Sequence, residues 1–134
     1  MKRIVIEALE ELGVAVEDAG PASEASVDYP DYAAVVGRAV GSGRASAGVL
    51  VCGTGIGMSI AANKISGVRA ALVRDVHYAE MSRLHNDANV LVLGADGADP
   101  QQIRQIVRTW WTTGFEGGRH AGRVAKISDL ERGR

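Results

Sequence analysis

Ile4, Val5, Ala8, Leu9 and Leu12 recur at intervals of three and four, with Glu7, Glu10 and Glu11 between them. That period predicts an amphipathic helix beginning in the first residues, and Gly13 supplies its C-cap. Val14-Ala15-Val16 predicts a short strand, followed by a loop rich in Gly, Pro, Ala and Ser from Gly20 to Ser26. Asp28 is placed to N-cap a helix from about Pro30 to Val40, closed by Gly41 and Gly43. Gly48-Val49-Leu50-Val51-Cys52 is a continuous apolar run, the pattern of a strand buried on both faces. A glycine-rich turn leads from it into a helix over Ile56 to Ile65. Arg69 to Val73 predicts a strand, Val76 to Leu84 a helix, and Asn89 to Leu93 the last strand. Asp99-Pro100 opens a helix through Trp111, because proline suits a first helical turn. A final helix covers His120 to Glu131.

Helices and strands alternate to the end, which implies a parallel sheet with helices on both faces. Four strands are visible, and right-handed crossovers place their C-terminal ends on one edge, where open sheets bind ligands. The 134 residues fit a single domain, 1–134. Apolar residues make up 46% and aromatics only 4%, so the core must rest on Val, Ile, Leu and Ala. A formal net charge of -1, without a Lys/Arg block, argues against nucleic-acid and membrane partners. No apolar run is long enough to span a bilayer, and Glu7 interrupts the N-terminus too early for a signal peptide. The single cysteine fits a reducing compartment, so a cytoplasmic location is expected.

Chemistry-bearing residues fall in three places. Cys52-Gly53-Thr54-Gly55-Ile56-Gly57 joins a buried strand to a helix. Its glycines permit close backbone approach, so successive N–H groups can converge on an anion. The same glycines also suit a plain tight turn. The loop is neither a Walker loop nor a dinucleotide fingerprint. Cys52 reads as a small buried hydrophobe or as a base, and Thr54 as a substrate contact or a brace for its own turn. His85-Asn86-Asp87-Ala88-Asn89 carries more polar side chains than helix termination needs, and His85 can serve as acid or base. His77 and His120 are expected at the surface, and no metal-ligand spacing links the histidines with Cys52. Arg119 and Arg123 lie four apart in Gly117-Gly118-Arg119-His120-Ala121-Gly122-Arg123, able to clamp a phosphate or merely to face solvent.

Together these segments resemble the ribose-5-phosphate isomerase B family, which also contains galactose-6-phosphate isomerase subunits. The matching stretches are Asp28-Tyr29-Pro30-Asp31-Tyr32-Ala33, the Cys52 to Gly57 loop with Ala61-Ala62-Asn63-Lys64, His85 to Asn89, and Glu116-Gly117-Gly118-Arg119-His120. The resemblance implies a Rossmann-like α/β/α sandwich and an aldose–ketose isomerase acting through an enediolate, most simply on ribose 5-phosphate, without metal or cofactor. It implies Cys52 as the base, because Met58 stands where another branch carries a glutamate. It further implies Thr54 and His85 in catalysis, with His85 opening the sugar ring. Gly53, Gly55, Ile56 and Gly57 would cradle the enediolate, Asn86 would contact substrate, and Arg119 and Arg123 would bind phosphate. A homodimer or tetramer with shared sites is expected.

The sequence departs from the family at two points. The family's first strand, which ends in an Asp-His pair and lies inside a five-stranded sheet, has no counterpart here. Unpaired backbone is therefore expected beside Gly48 to Cys52, unless a start codon upstream of Met1 supplies the strand. Asp96 stands where the family usually has an arginine near the phosphate. The competing readings are a non-catalytic paralogue or partner subunit, and an isomerase for allose, galactose or tetrose phosphate.

Overall fold

A computed structural model of the chain describes residues 1–23 and 26–133. Residues 24 and 25 of the predicted Gly20–Ser26 loop lie outside that range. Three parallel strands, β1 (Gly48–Cys52), β2 (Ala70–Leu72) and β3 (Val90–Gly94), form one sheet in the order β1-β3-β2. Central β3 pairs with β1 from Gly48↔Val90 to Cys52↔Gly94, and with β2 from Ala70↔Val90 to Leu72↔Val92.

Successive side chains of β3 alternate between two cores, as a pleated strand requires. Leu91 and Leu93 meet α1 (Lys2–Glu11), α4 (Val76–Leu84) and α5 (Pro100–Thr112) through Val5, Leu9, Ala79, Ile103, Ile106, Val107 and Trp110. Val90 and Val92 meet α2 (Tyr29–Gly41) and α3 (Ile56–Ala62) through Ala33, Val40, Met58 and Ala62. Helices thus cover both faces, as expected. The last helix, α6 (Arg119–Asp129), continues into a 3₁₀ turn, Leu130–Gly133.

Local chemistry sets the helix starts. Asp75 and Asp99 accept the N–H of Tyr78 and Gln101 with their side chains. Asp28 holds the corresponding position of α2 without such a bond, and Pro30 in the first turn spares one orphan donor instead. α3 stops at Ala62, three residues short of expectation. The Asn63 amide there donates to the carbonyls of Ser59 and Ala70 and accepts the Ala70 N–H, tying the helix end to β2.

The described residues contain three strands, not the expected four. Val14-Ala15-Val16 packs on the core but joins no ladder. A strand exists only through a hydrogen-bonded neighbour, and here the neighbouring position is a cavity. That cavity, about 950 Å3, is bounded by Val14 to Gly20, by α1 and α2, and by the edge of β1 that faces away from β3. Among the described residues no strand pairs with the other edge of β1, as expected beside Gly48 to Cys52. Trp110, whose indole N–H is buried without an acceptor among the described residues, borders the same cavity.

Candidate active site

At the C-terminal end of the strands, Cys52 closes β1 and its Sγ accepts the N–H of Gly55 at 3.1 Å. Thr54 Oγ1 accepts the N–H of Ile56 at 3.2 Å, so the hydroxyl does brace its own turn, though the residue stays exposed. Backbone bonds from Ala95 to Cys52 and from Asp96 to Gly53 fasten the loop to the end of β3. Gly55 adopts φ +80°, and a side chain there would collide with Leu72. A side chain at Gly57 would collide with the Tyr29 ring. Tyr29 thus serves as a wall under the loop, a role that its place in the matching Asp28-Tyr29-Pro30 stretch did not disclose. Met58 is buried in the core. The Asp96 carboxylate does not face away from this loop. It lies 3.2 Å from where a Gly53 Cβ would stand, so an anionic phosphate is disfavoured at this end.

At the opposite end, α4 finishes at His85 and the chain turns back into β3. Asp87 takes φ +46° and is held by Arg69 and Arg83 at 3.4 and 3.2 Å. Asn89 accepts the Arg69 N–H at 2.7 Å and donates to the Gly67 carbonyl at 2.8 Å. Two of the four polar side chains in this segment therefore do structural work, leaving His85 and Asn86. Arg83 braces the end further, donating to the Thr113 carbonyl and lying 5.4 Å above the Trp110 ring.

His120 corrects the expectation of a surface histidine. It is only 6% exposed and stacks on His85, with ring centroids 4.2 Å apart and planes 14° apart. Burial, then the neighbouring His85, push its pKa below the ordinary histidine value, against the opposing pull of Glu116. Glu116 Oε2 lies 3.7 Å from His85 Nε2 and 3.8 Å from His120 Nε2. The Glu116–His120 spacing of four residues was the available signal; its partner His85 is distant in sequence. Arg119 and Arg123 are exposed on the first turns of α6, and neither forms an ion pair among the described residues. The Glu131 carboxylate accepts from the Ser66 hydroxyl and the Gly67 N–H, so the terminal turn is tied to this end as well.

The predicted site residues thus form two groups. Cys52, Gly53, Thr54, Gly55, Ile56 and Gly57 share one end of the sheet; His85, Asn86, Arg119 and Arg123 share the other. Gly48 donates to Asn89 at the second end while Cys52 marks the first, and the rise of β1 between them is about 13 Å. One chain does not unite the two groups.

The family model for Ribose/Galactose Isomerase matches residues 1–127. The chain belongs to this family. Among ribose/galactose isomerases, the ribose-5-phosphate isomerase B of Escherichia coli is 42% identical over 134 residues, covering 100% of this chain and 90% of that protein. A D-erythrulose-4-phosphate isomerase of Pectobacterium atrosepticum is 38% identical, covering 98% and 87%. The solved ribose-5-phosphate isomerase B of Clostridium thermocellum superposes with a TM-score of 0.95 at 46% identity, covering 98% of this chain and 89% of that one. The enzyme of Mycoplasma genitalium, solved with bound ribulose-5-phosphate, gives 0.93 at 39% identity, covering 99% and 89%.

Proposed function

We propose that this chain interconverts ribose 5-phosphate and ribulose 5-phosphate in sites shared between two copies of itself. The reading rests chiefly on one observation: a thiol beside a rigid glycine loop, in a chain similar along nearly its whole length to ribose-5-phosphate isomerases B. Cys52 as thiolate removes the proton from C2 of the open-chain aldose. Electrons move to the C1 oxygen, giving an enediolate that backbone donors of the loop stabilise where charge develops. The thiol returns its proton to C1 while the C2 hydroxyl proton passes to the C1 oxygen, which leaves a carbonyl at C2 and gives the ketose. His85 opens the sugar ring, Asn86 contacts the substrate, and Arg119 and Arg123 hold the phosphate. The work needs no cofactor, and the chain acts as a single cytoplasmic domain.

The separation of the two groups supports sharing, because a two-fold axis perpendicular to the strands would set one end of each sheet against the other end of its partner. Exposed Ile56 and Ile60 beside the loop, and Ile127 and Leu130 beside the arginines, supply apolar surface for it. A coupled assay with ribose 5-phosphate tests the activity, and Cys52→Ala must lower it by at least about 10²-fold; turnover kept near the wild-type rate sinks the mechanism. Mixing inactive C52A and H85A chains tests the sharing. Random re-pairing makes half the dimers mixed, each with one intact site, so about one quarter of the wild-type activity should return. A second reading, a shorter sugar phosphate as substrate, is favoured by Asp96 at the loop; parallel assays with a tetrose phosphate separate it.

A further inference from the structure

The imidazole of His85 has few holds of its own. Its backbone is fixed as the C-cap of α4, where its N–H donates to the Met81 carbonyl at 2.9 Å. The ring, however, is 39% exposed, and the Glu116 carboxylate, at 3.7 Å, is beyond hydrogen-bond distance. Among the described residues no group hydrogen-bonds to either ring of the histidine pair. What meets the His85 ring is the face of His120, with planes 14° and centroids 4.2 Å apart. His120 itself is firmly held. It is buried in the first turn of α6, where its N–H donates to the Gly117 carbonyl at 3.0 Å. The Glu116 N–H donates to the Leu84 carbonyl at 3.1 Å, which clasps the approach to α6 to the residue before His85. The two ring-bearing segments are thereby fixed relative to one another.

We propose that His120 is a positioning residue for ring opening, its buried face setting the plane of the His85 imidazole against the sugar. The assignment rests on the function proposed above, in which His85 opens the ring. An imidazole nitrogen gives and takes protons along directions in its own plane, so a ring free to turn about its last torsion is seldom aimed. A parallel neighbour restrains that torsion without occupying either nitrogen. Such a platform serves best uncharged, because two imidazoliums face to face repel. Burial first, then His85, with Arg119 and Arg123 adding to them, hold the His120 pKa below the ordinary histidine value against the pull of Glu116. His120 is therefore the second of the pair to take a proton.

Steady-state kinetics of His120→Phe and His120→Leu with ribose 5-phosphate test the proposal. Both side chains fill the buried site, and only phenylalanine offers a flat face. H120F should keep kcat within about threefold of the wild type, whereas H120L should lower it by at least about tenfold with KM little changed. A merely structural role would move the two variants together. Equal losses in both, or full activity in H120L, overturns the proposal. Where circular dichroism shows that a variant misfolds, NMR of the wild-type imidazoles decides instead. Nuclear Overhauser contacts should join the two rings, and His120 should take its proton after His85 as pH falls. Missing ring-to-ring contacts, or first protonation at His120, overturns the proposal. A wild type without turnover counts against the proposed function, and the imidazole spectra still decide whether His120 holds His85.

Discussion

The two ends of the sheet are built from different materials. The end at Cys52 is backbone: three glycines, a loop fastened by main-chain bonds to β3, and a single thiol. The end at His85 is side chain: a stacked histidine pair, a carboxylate, two arginines, and an Asp–Arg brace. The first suits a task where charge develops over short distances and donors must already be in place. The second suits grasping a charged, mobile group and moving protons. In the proposed mechanism the tasks fall to opposite ends of one chain, and assembly would then be a condition of catalysis.

The largest break in this division should come from the thiol proposed as the base. Cys52→Ala is expected to lower kcat/KM about 10²–10⁴-fold, measured by coupled assay, with the thermal midpoint little changed. Substitutions in the backbone end should show as stability instead. Gly57→Val drives a branched side chain into Tyr29 and should cost about 1–3 kcal/mol in urea denaturation. Tyr29→Ala in the same chain should recover part of that loss, and no recovery would show that the clash lies elsewhere. At the side-chain end, Asn89→Ala removes bonds to Arg69 and Gly67 and should cost about 1–3 kcal/mol.

The smallest effect is a pH signature of that end. His120 has its pKa lowered by folding, so the unfolded chain binds its proton first as pH falls. The stability it contributes is present above about pH 6.5 and is lost as pH falls from there toward its folded pKa. Thermal midpoints should therefore drop in this window, and His120→Asn should flatten the drop. Glu7 is distinguishable because Arg104 and then Arg3 hold its carboxyl below the ordinary value. Its contribution is present above about pH 4.3 and is lost only as pH falls below that.

What was legible in the sequence follows the same division. Val76–Leu84 and the other helices were readable because period, caps and proline are local signals. The glycine loop was readable because its strand, turn and helix are contiguous. Val14-Ala15-Val16 misled because strand propensity lies in the segment while strand existence lies in its neighbour. His120 misled because stacking on His85 is a meeting of residues far apart in the chain. Asp87 and Asn89 looked like surplus chemistry, yet their partners Arg69 and Gly67 lie some twenty positions earlier. Backbone sites announce themselves along the chain; side-chain sites emerge only when it folds.

The Glu131 carboxylate bears on how the last helix comes loose. Its bonds to the Ser66 hydroxyl and the Gly67 N–H clasp the terminal turn to the body of the molecule. Terminal segments open first unless they are tied down. Glu131→Ala should therefore let a protease reach α6 sooner, at temperatures well below the global melting midpoint.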